Sequence, residues 1–416
     1  MRVNIHRGTK QIGGTCIELE AEGKRIALDV GLPLDADDST SELDLLPEVK
    51  GFREPDEDLL GVVISHPHQD HFGLAHLLPN DVPVYIGESA NNILKAASKY
   101  VPNGKYFDNT VHFENQKSFE IGPFKITPYL VDHSAFDAYS LLIEANGKRL
   151  FYSGDFRAHG RKQQLFERLV RNPPKDIDLL LMEGTTIGRT NTELGFPTES
   201  DLEEKFVADI KQTEGLYLIY TSAQNIDRVV TTYRAAKRTG RNLVIDLYTA
   251  VILEATGADT IPQTSWEGVN LFTPHAQRLQ IKKNELFGDL KRHNIDRIYP
   301  EDLSSNPDKY VMLMRPWMYR DLEFADCLNG ARFAYSMWSG YLQEERMIKF
   351  QKWLKKKGIP MSKIHTSGHA PVKDLKRLSE ALAPKKLVPI HSFETDRFEE
   401  FFDNVKQKSD VEWWVV

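Results

Sequence analysis

Cysteine is nearly missing from this chain of 416 residues: Cys16 and Cys327 are the two present, far apart in sequence. That excludes a disulfide framework and a thiolate-bound structural zinc, and it fits a reducing compartment. No apolar run is long enough to span a bilayer, so no membrane association is expected. The opening MRVNIHRGTKQIGG has no apolar stretch behind its basic residues, so no secretory signal is expected and the chain reads as cytoplasmic. Excess basic charge is missing too. With a net charge of −7, any surface that receives nucleic-acid phosphates has to be local. Lys355 to Lys357, Lys291 to Arg297, and Arg234, Lys237, Arg238 and Arg241 are basic clusters, each also the ordinary make-up of a solvated helix face.

What is present is the composition of a folded, soluble protein: 41% hydrophobic and 27% charged residues. The length favours two domains, or one carrying a large insertion. The first part reads as short strands, among them KRIALDV, LLGVVIS, FKITPYLV, RLFYSG and IDLLLME, with turn signals at Glu22-Gly23-Lys24 and Asn146-Gly147-Lys148 that predict hairpins. Beyond Glu183 the texture changes to alternating helices and strands: a helix over 200–212, LYLIYTS, a helix over 225–238, NLVIDLY, and further strands at YVMLM and ARFAYSMW. The chain closes with a strand KIHTSGHA, a helix VKDLKRLSEALA and a strand KLVPIHS.

The chemistry concentrates in Ser65-His66-Pro67-His68-Gln69-Asp70-His71, directly after the apolar run 59–64. A loop hung on a buried strand end lets three imidazoles and a carboxylate converge, and that donor set suits zinc. Val131-Asp132-His133-Ser134 and Tyr152-Ser153-Gly154-Asp155 also follow apolar strands. A carboxylate such as that of Asp155 can bridge two cations, with a hydroxide between them.

These residues resemble the motifs of the metallo-β-lactamase superfamily, matched by Asp29 in IALDVG, by His66, His68, Asp70 and His71, by His133 and by Asp155. The later segments LLLMEGTTIGR, HTSGHA and LVPIHS resemble the three further motifs of the β-CASP nucleases, a family that includes ribonuclease J, at Glu183, His369 and His391. The resemblance implies an α/β architecture: a metallo-β-lactamase αββα sandwich over 1–195 and 359–416, with an inserted α/β β-CASP domain over 196–358. It implies two zinc ions, or manganese in their place. His66, His68, His133 and Asp155 would hold one, and Asp70, His71, Asp155 and His391 the other, with Asp29 orienting the ligand loop. It further implies that Glu183 and His369 join Asp70 as catalytic groups at the scissile phosphate. The expected activity is hydrolysis of single-stranded RNA, as endonuclease, 5′-exonuclease or both. A DNA nuclease, a small-ester hydrolase of the same fold and a silent RNA-processing scaffold are the alternatives.

Substrate contacts are expected at His369, Ser367, His365, which shares a side with His369 if both lie on one strand, and Ser222 and Arg228 in the turn Thr221 to Arg228. Trp317, Tyr319, Tyr335, Trp338 and Tyr341 are candidates for stacking on bases. Arg315-Pro316-Trp317-Met318-Tyr319-Arg320 replaces the Gly/Ser-rich turn of ribonuclease J, which speaks against a 5′-exonuclease mode, and a homodimer is an open expectation.

Overall fold

The computed structural model describes residues 1–37, 39–189 and 195–416. They form two compact units. One comprises Met1–Lys95, Asn103–Phe196 and Gly368–Val416; the other comprises Ala96–Pro102 and Pro197–Ser367.

Two sheets make the first unit. The seven-stranded one runs in the order Trp413–Val415, Arg2–Arg7, Cys16–Ala21, Lys24–Leu28, Leu59–Val63, Val84–Gly87, Thr110–Phe113. The six-stranded one runs Lys386–Ile390, Leu179–Glu183, Lys148–Tyr152, Tyr139–Ala145, Phe124–Leu130, Phe119–Ile121. The turn signals are realised as hairpins. Glu22 and Gly23 (φ 54° and 76°), like Asn146 and Gly147 (φ 51° and 68°), take the paired positive φ that matches the twist of antiparallel strands. Alternating apolar residues of both sheets interleave in one core, with Val3, Ile5, Leu19 and Ile26 against Leu141, Ile143, Leu179 and Val388. The opposite face of the first sheet buries Val62 and Ile64 against Phe72, Ala90 and Leu94. The outer face of the second buries Leu180 and Met182 against Phe166 and Leu169 of helix Gln163–Arg171 and Leu375 and Leu378 of helix Val372–Leu382. The layering is therefore αββα, the expected sandwich.

The second unit is built on a seven-stranded sheet in which every pair is parallel, ordered Arg297–Ile298, Val269–Phe272, Asn242–Ile245, Tyr310–Leu313, Tyr217–Tyr220, Arg332–Tyr335, Met361–Lys363. Met361–Lys363 pairs with Arg332–Tyr335, so the chain leaves this unit at Ser367 and not near residue 358. The strand expected through His369 stops at Lys363, where Ile364 makes the last backbone bond to Tyr335. The period-two argument that gave His365 and His369 a common side has no strand to rest on.

Arg228 is also placed differently from expectation. Its guanidinium is fully buried, binding Glu199 through Nε and Nη2 (3.1 and 2.8 Å) and the Ser336 carbonyl through Nη1 (3.2 Å). This engaged cation is a core strut of the second unit, not a phosphate ligand. Removing one partner strands the other charge in a low-dielectric interior, so Glu199→Ala should lower stability by about 3–5 kcal/mol, as chemical denaturation would measure. Ser222 accepts a hydrogen bond from the amide of Gln224 (3.2 Å), just before helix Ile226–Arg238. Tyr335 is core, whereas Trp317, Trp338 and Tyr341, just past carboxyl ends of strands in the parallel sheet, are exposed. Arg234 and Arg238 are tied to Glu203 and Glu204 on a helix surface. Among the described residues, no helix is long and apolar enough to cross a membrane.

Candidate metal centre

The site lies in the first unit, on loops leaving strand ends. Strand Leu59–Val63 delivers Ser65 and His66, and the short helix Gln69–Phe72, capped by His68, carries Asp70 and His71. The loop is pinned by its own backbone: Val30 N–H donates to the His71 carbonyl (2.8 Å), Leu32 to Gln69 (2.9 Å) and Thr15 to Asp70 (3.2 Å). Gly31 sits so close beneath this loop that a Cβ there would lie 1.8 Å from the Asp70 carbonyl oxygen, a space only glycine fits.

The donors gather in overlapping groups: His66, His68 and His133; Asp70, His71, Asp155 and His391; and Asp155, Glu183, His369 and His391, with the donor atoms in each group within 4.8 Å of one another. Asp155 is common to two of them, and its Oδ2 is also 3.8 Å from His66 Nε2. Residues that sequence separates by hundreds of positions meet here: His391 Nε2 is 3.3 Å from Asp70 Oδ2, and His391 Nδ1 is 3.4 Å from Asp155 Oδ1.

Whether cations fit is answered by the polar atoms left over. His66 Nε2, His71 Nε2 and both oxygens of Asp155 are buried and make no hydrogen bond of sound geometry, although His71 Nε2 and Asp155 Oδ2 are 3.3 Å apart. Buried groups of this kind are normally satisfied, and divalent cations would satisfy them. The surroundings also fix the right tautomers. Asp29, at φ 56°, accepts from Ser65 N, Ser65 Oγ and Tyr152 OH (2.7, 2.7 and 2.5 Å) and from His71 Nδ1 (2.7 Å). With its proton given to Asp29, Ser65 Oγ is left to accept from His66 Nδ1 (3.0 Å). Both rings thus carry hydrogen on Nδ1 and face Nε2 inward, the atom that a cation would take. His391, at φ 50°, has Nδ1 3.0 Å from Thr185 Oγ1.

Charge is distributed to suit. Burial, then neighbouring imidazoles, hold His66 and His133 well below the ordinary histidine range, so they stand neutral. Burial pushes against ionisation of Asp155, but His391, His71 and His369 override it and keep the carboxylate charged. Burial also opposes a charge on His369, yet Glu183 and then Asp155 raise its pKa to about 9. Glu183 is itself anchored, accepting from Phe156 N (3.1 Å) and Thr185 N (3.3 Å), and its Oε2 lies 3.2 Å from His369 Nδ1. His365 and Ser367 belong to the second unit. Sequence reasoning did not single out Ser65, Tyr152, Thr185, Asp132 or Arg157. Their hydroxyls and charges are ordinary in a sequence, and only the fold reveals what they hold.

Residues 43–213 match the model of the β-lactamase superfamily domain. The chain is 22% identical over 413 residues to ribonuclease J of Mycoplasma genitalium, covering 92% of this chain and 66% of the relative. It is 22% identical over 400 residues to ribonuclease J of Helicobacter pylori strain B128, covering 92% and 55%. The chain is thus similar to the β-lactamase superfamily domain and, along most of its length, to ribonucleases J. The chain spans about half to two thirds of the length of these curated relatives. Its fold is also that of a crystallised protein of unknown function from Enterococcus faecalis V583, with 20% identity, a TM-score of 0.79, and coverage of 100% of this chain and 99% of that one.

Proposed function

We propose that this protein is a metal-dependent ribonuclease that hydrolyses phosphodiester bonds of single-stranded RNA. The observation that carries the reading is the convergence of buried, unsatisfied donors on one point beside an imidazole held by a buried carboxylate. His66, His68, His133 and Asp155 would hold one divalent cation, zinc or manganese, and Asp70, His71, Asp155 and His391 a second. When bound, such a pair lowers the pKa of water from about 15.7 towards about 7 and neutralises phosphoryl oxygens.

The chain's own groups supply the rest. Asp29 and Ser65 keep Nε2 of His71 and His66 pointed inward. Glu183 holds His369 by Nδ1, which leaves Nε2 as the proton donor to the departing ribose 3′ oxygen. Products with a 5′-phosphate and a 3′-hydroxyl follow. The exposed Trp317, Trp338 and Tyr341 offer faces on which unpaired bases can stack, which favours single strands. RNA is preferred over DNA on the strength of relatives named ribonuclease J.

The test is incubation of chelator-stripped and zinc- or manganese-reloaded protein with end-labelled single-stranded RNA and DNA, beside a His68→Ala/Asp70→Ala variant. The expected ladder appears with RNA, requires metal and vanishes in the variant. If the reloaded protein leaves RNA intact while hydrolysing a small ester, the proposal is wrong.

A further inference from the structure

Metal-binding histidines are normally fixed through their second ring nitrogen. Three rings here follow that rule, with Nδ1 of His66, His71 and His391 facing Ser65, Asp29 and Thr185. His133 does not. Its Nδ1 is buried and without a hydrogen-bond partner among the described residues, while its Nε2 lies 3.1 Å from His68 Nδ1 on the donor side. The ring packs edge-on against His66, His68 and His369, but no hydrogen bond to its outer nitrogen aims it.

The segment that follows Asp155 grips the backbone around His133. Arg157 N–H donates to the Asp132 carbonyl (2.6 Å), forming an isolated antiparallel bridge. Arg157 Nε donates to Asp132 Oδ1 (3.3 Å) and Gly160 N–H to Asp132 Oδ2 (2.6 Å). Lys162 Nζ donates to the carbonyl of His133 itself (3.2 Å). Asp132 and Arg157 are fully buried, and a Cβ at Gly160 would come within 2.1 Å of Asp132 Oδ1 and 2.5 Å of Arg157 Nε, so the packing leaves no slack. A charge pair this deep contributes little net stability against an apolar alternative, but it enforces one geometry.

We propose that Asp132 and Arg157 form a latch that positions His133, and that the His66/His68/His133 site depends on this latch while the site built from Asp70, His71, Asp155 and His391 does not. The inference rests on the two-cation reading above. The asymmetry follows from the contacts: Asp29 and Thr185 brace two ligands of the second group from side chains outside the latch, and His133 has no such brace.

The test uses Co²⁺ as the probe, titrated into chelator-stripped protein and followed by its visible absorption and by equilibrium dialysis. Wild type should take up two equivalents, and His68→Ala identifies the one held by the histidine-rich site. The double variant Asp132→Asn/Arg157→Met removes both charges together, so neither is stranded. It should weaken that same equivalent about 10- to 100-fold and leave the other at its wild-type affinity. Lys162→Met, at a half-buried position, should weaken the same equivalent by a smaller factor and serves if the double variant does not fold. Wild-type affinity for both equivalents in the variants, or equal weakening of both, overturns the latch. A wild type that takes up fewer than two equivalents overturns the two-cation reading, and this inference with it.

Discussion

Asp155→Asn is expected to reduce RNA cleavage on the order of 10³-fold or more, because the carboxylate that would touch both cations then carries no charge and offers one oxygen in place of two. Its oxygens are buried, make no hydrogen bond of sound geometry among the described residues, and face His71, His391 and His369 at 3.3, 3.4 and 3.6 Å. Metal content measured on the same preparation should fall in parallel. A folded variant that retains both metals and near-normal turnover would remove Asp155 from the centre of the mechanism.

His369→Ala should slow RNA cleavage about 10²- to 10⁴-fold, the usual contribution of a positioned general acid. Two further readouts separate that role from mere binding. A p-nitrophenyl phosphodiester, whose leaving group needs no proton, should lose far less. The pH profile should change as well. In the metal-free protein Glu183 and Asp155 oppose burial and raise the imidazole to about 9. In the proposed role the acid form is the active one, so turnover should be lost as pH rises. Cations on Asp155 would withdraw part of that support, so the alkaline limb is expected between the ordinary histidine value of about 6.5 and about 9. The limb should be missing in His369→Ala. If both substrates slow equally and the limb persists, His369 does not deliver the proton.

The parts of this protein that sequence reveals are those written locally. His66, His68, Asp70 and His71 stand within one short loop, and no ordinary core or surface pattern repeats donors so closely. The hairpins are legible because Glu22-Gly23 and Asn146-Gly147 meet a backbone requirement that few residues satisfy. Glu183 and His391 become legible only through their place in a family series, since a Glu or a His at a strand end is otherwise unremarkable. Arg228 shows the limit. Read alone, an arginine at a helix start suggests an anion partner, and it has one. The partner is Glu199, on a neighbouring helix, and no local pattern announces that pairing. His365 fails for a related reason: a run that looks like a strand through HTSGHA loses its pairing partner after Ile364, and the alternation fails with it.

The close approach beneath Asp70 has a consequence of its own. Nothing at position 31 can touch RNA, donate a proton or bind an ion, yet any side chain there must shove aside the peptide that aims Asp70 and His71. On the proposed reading, two hydrogen atoms on one α-carbon are thus as much a condition of activity as the imidazoles above them. Systematic mutagenesis that scores function alone will rank this glycine among the reactive groups, for want of room and not for any chemistry it performs.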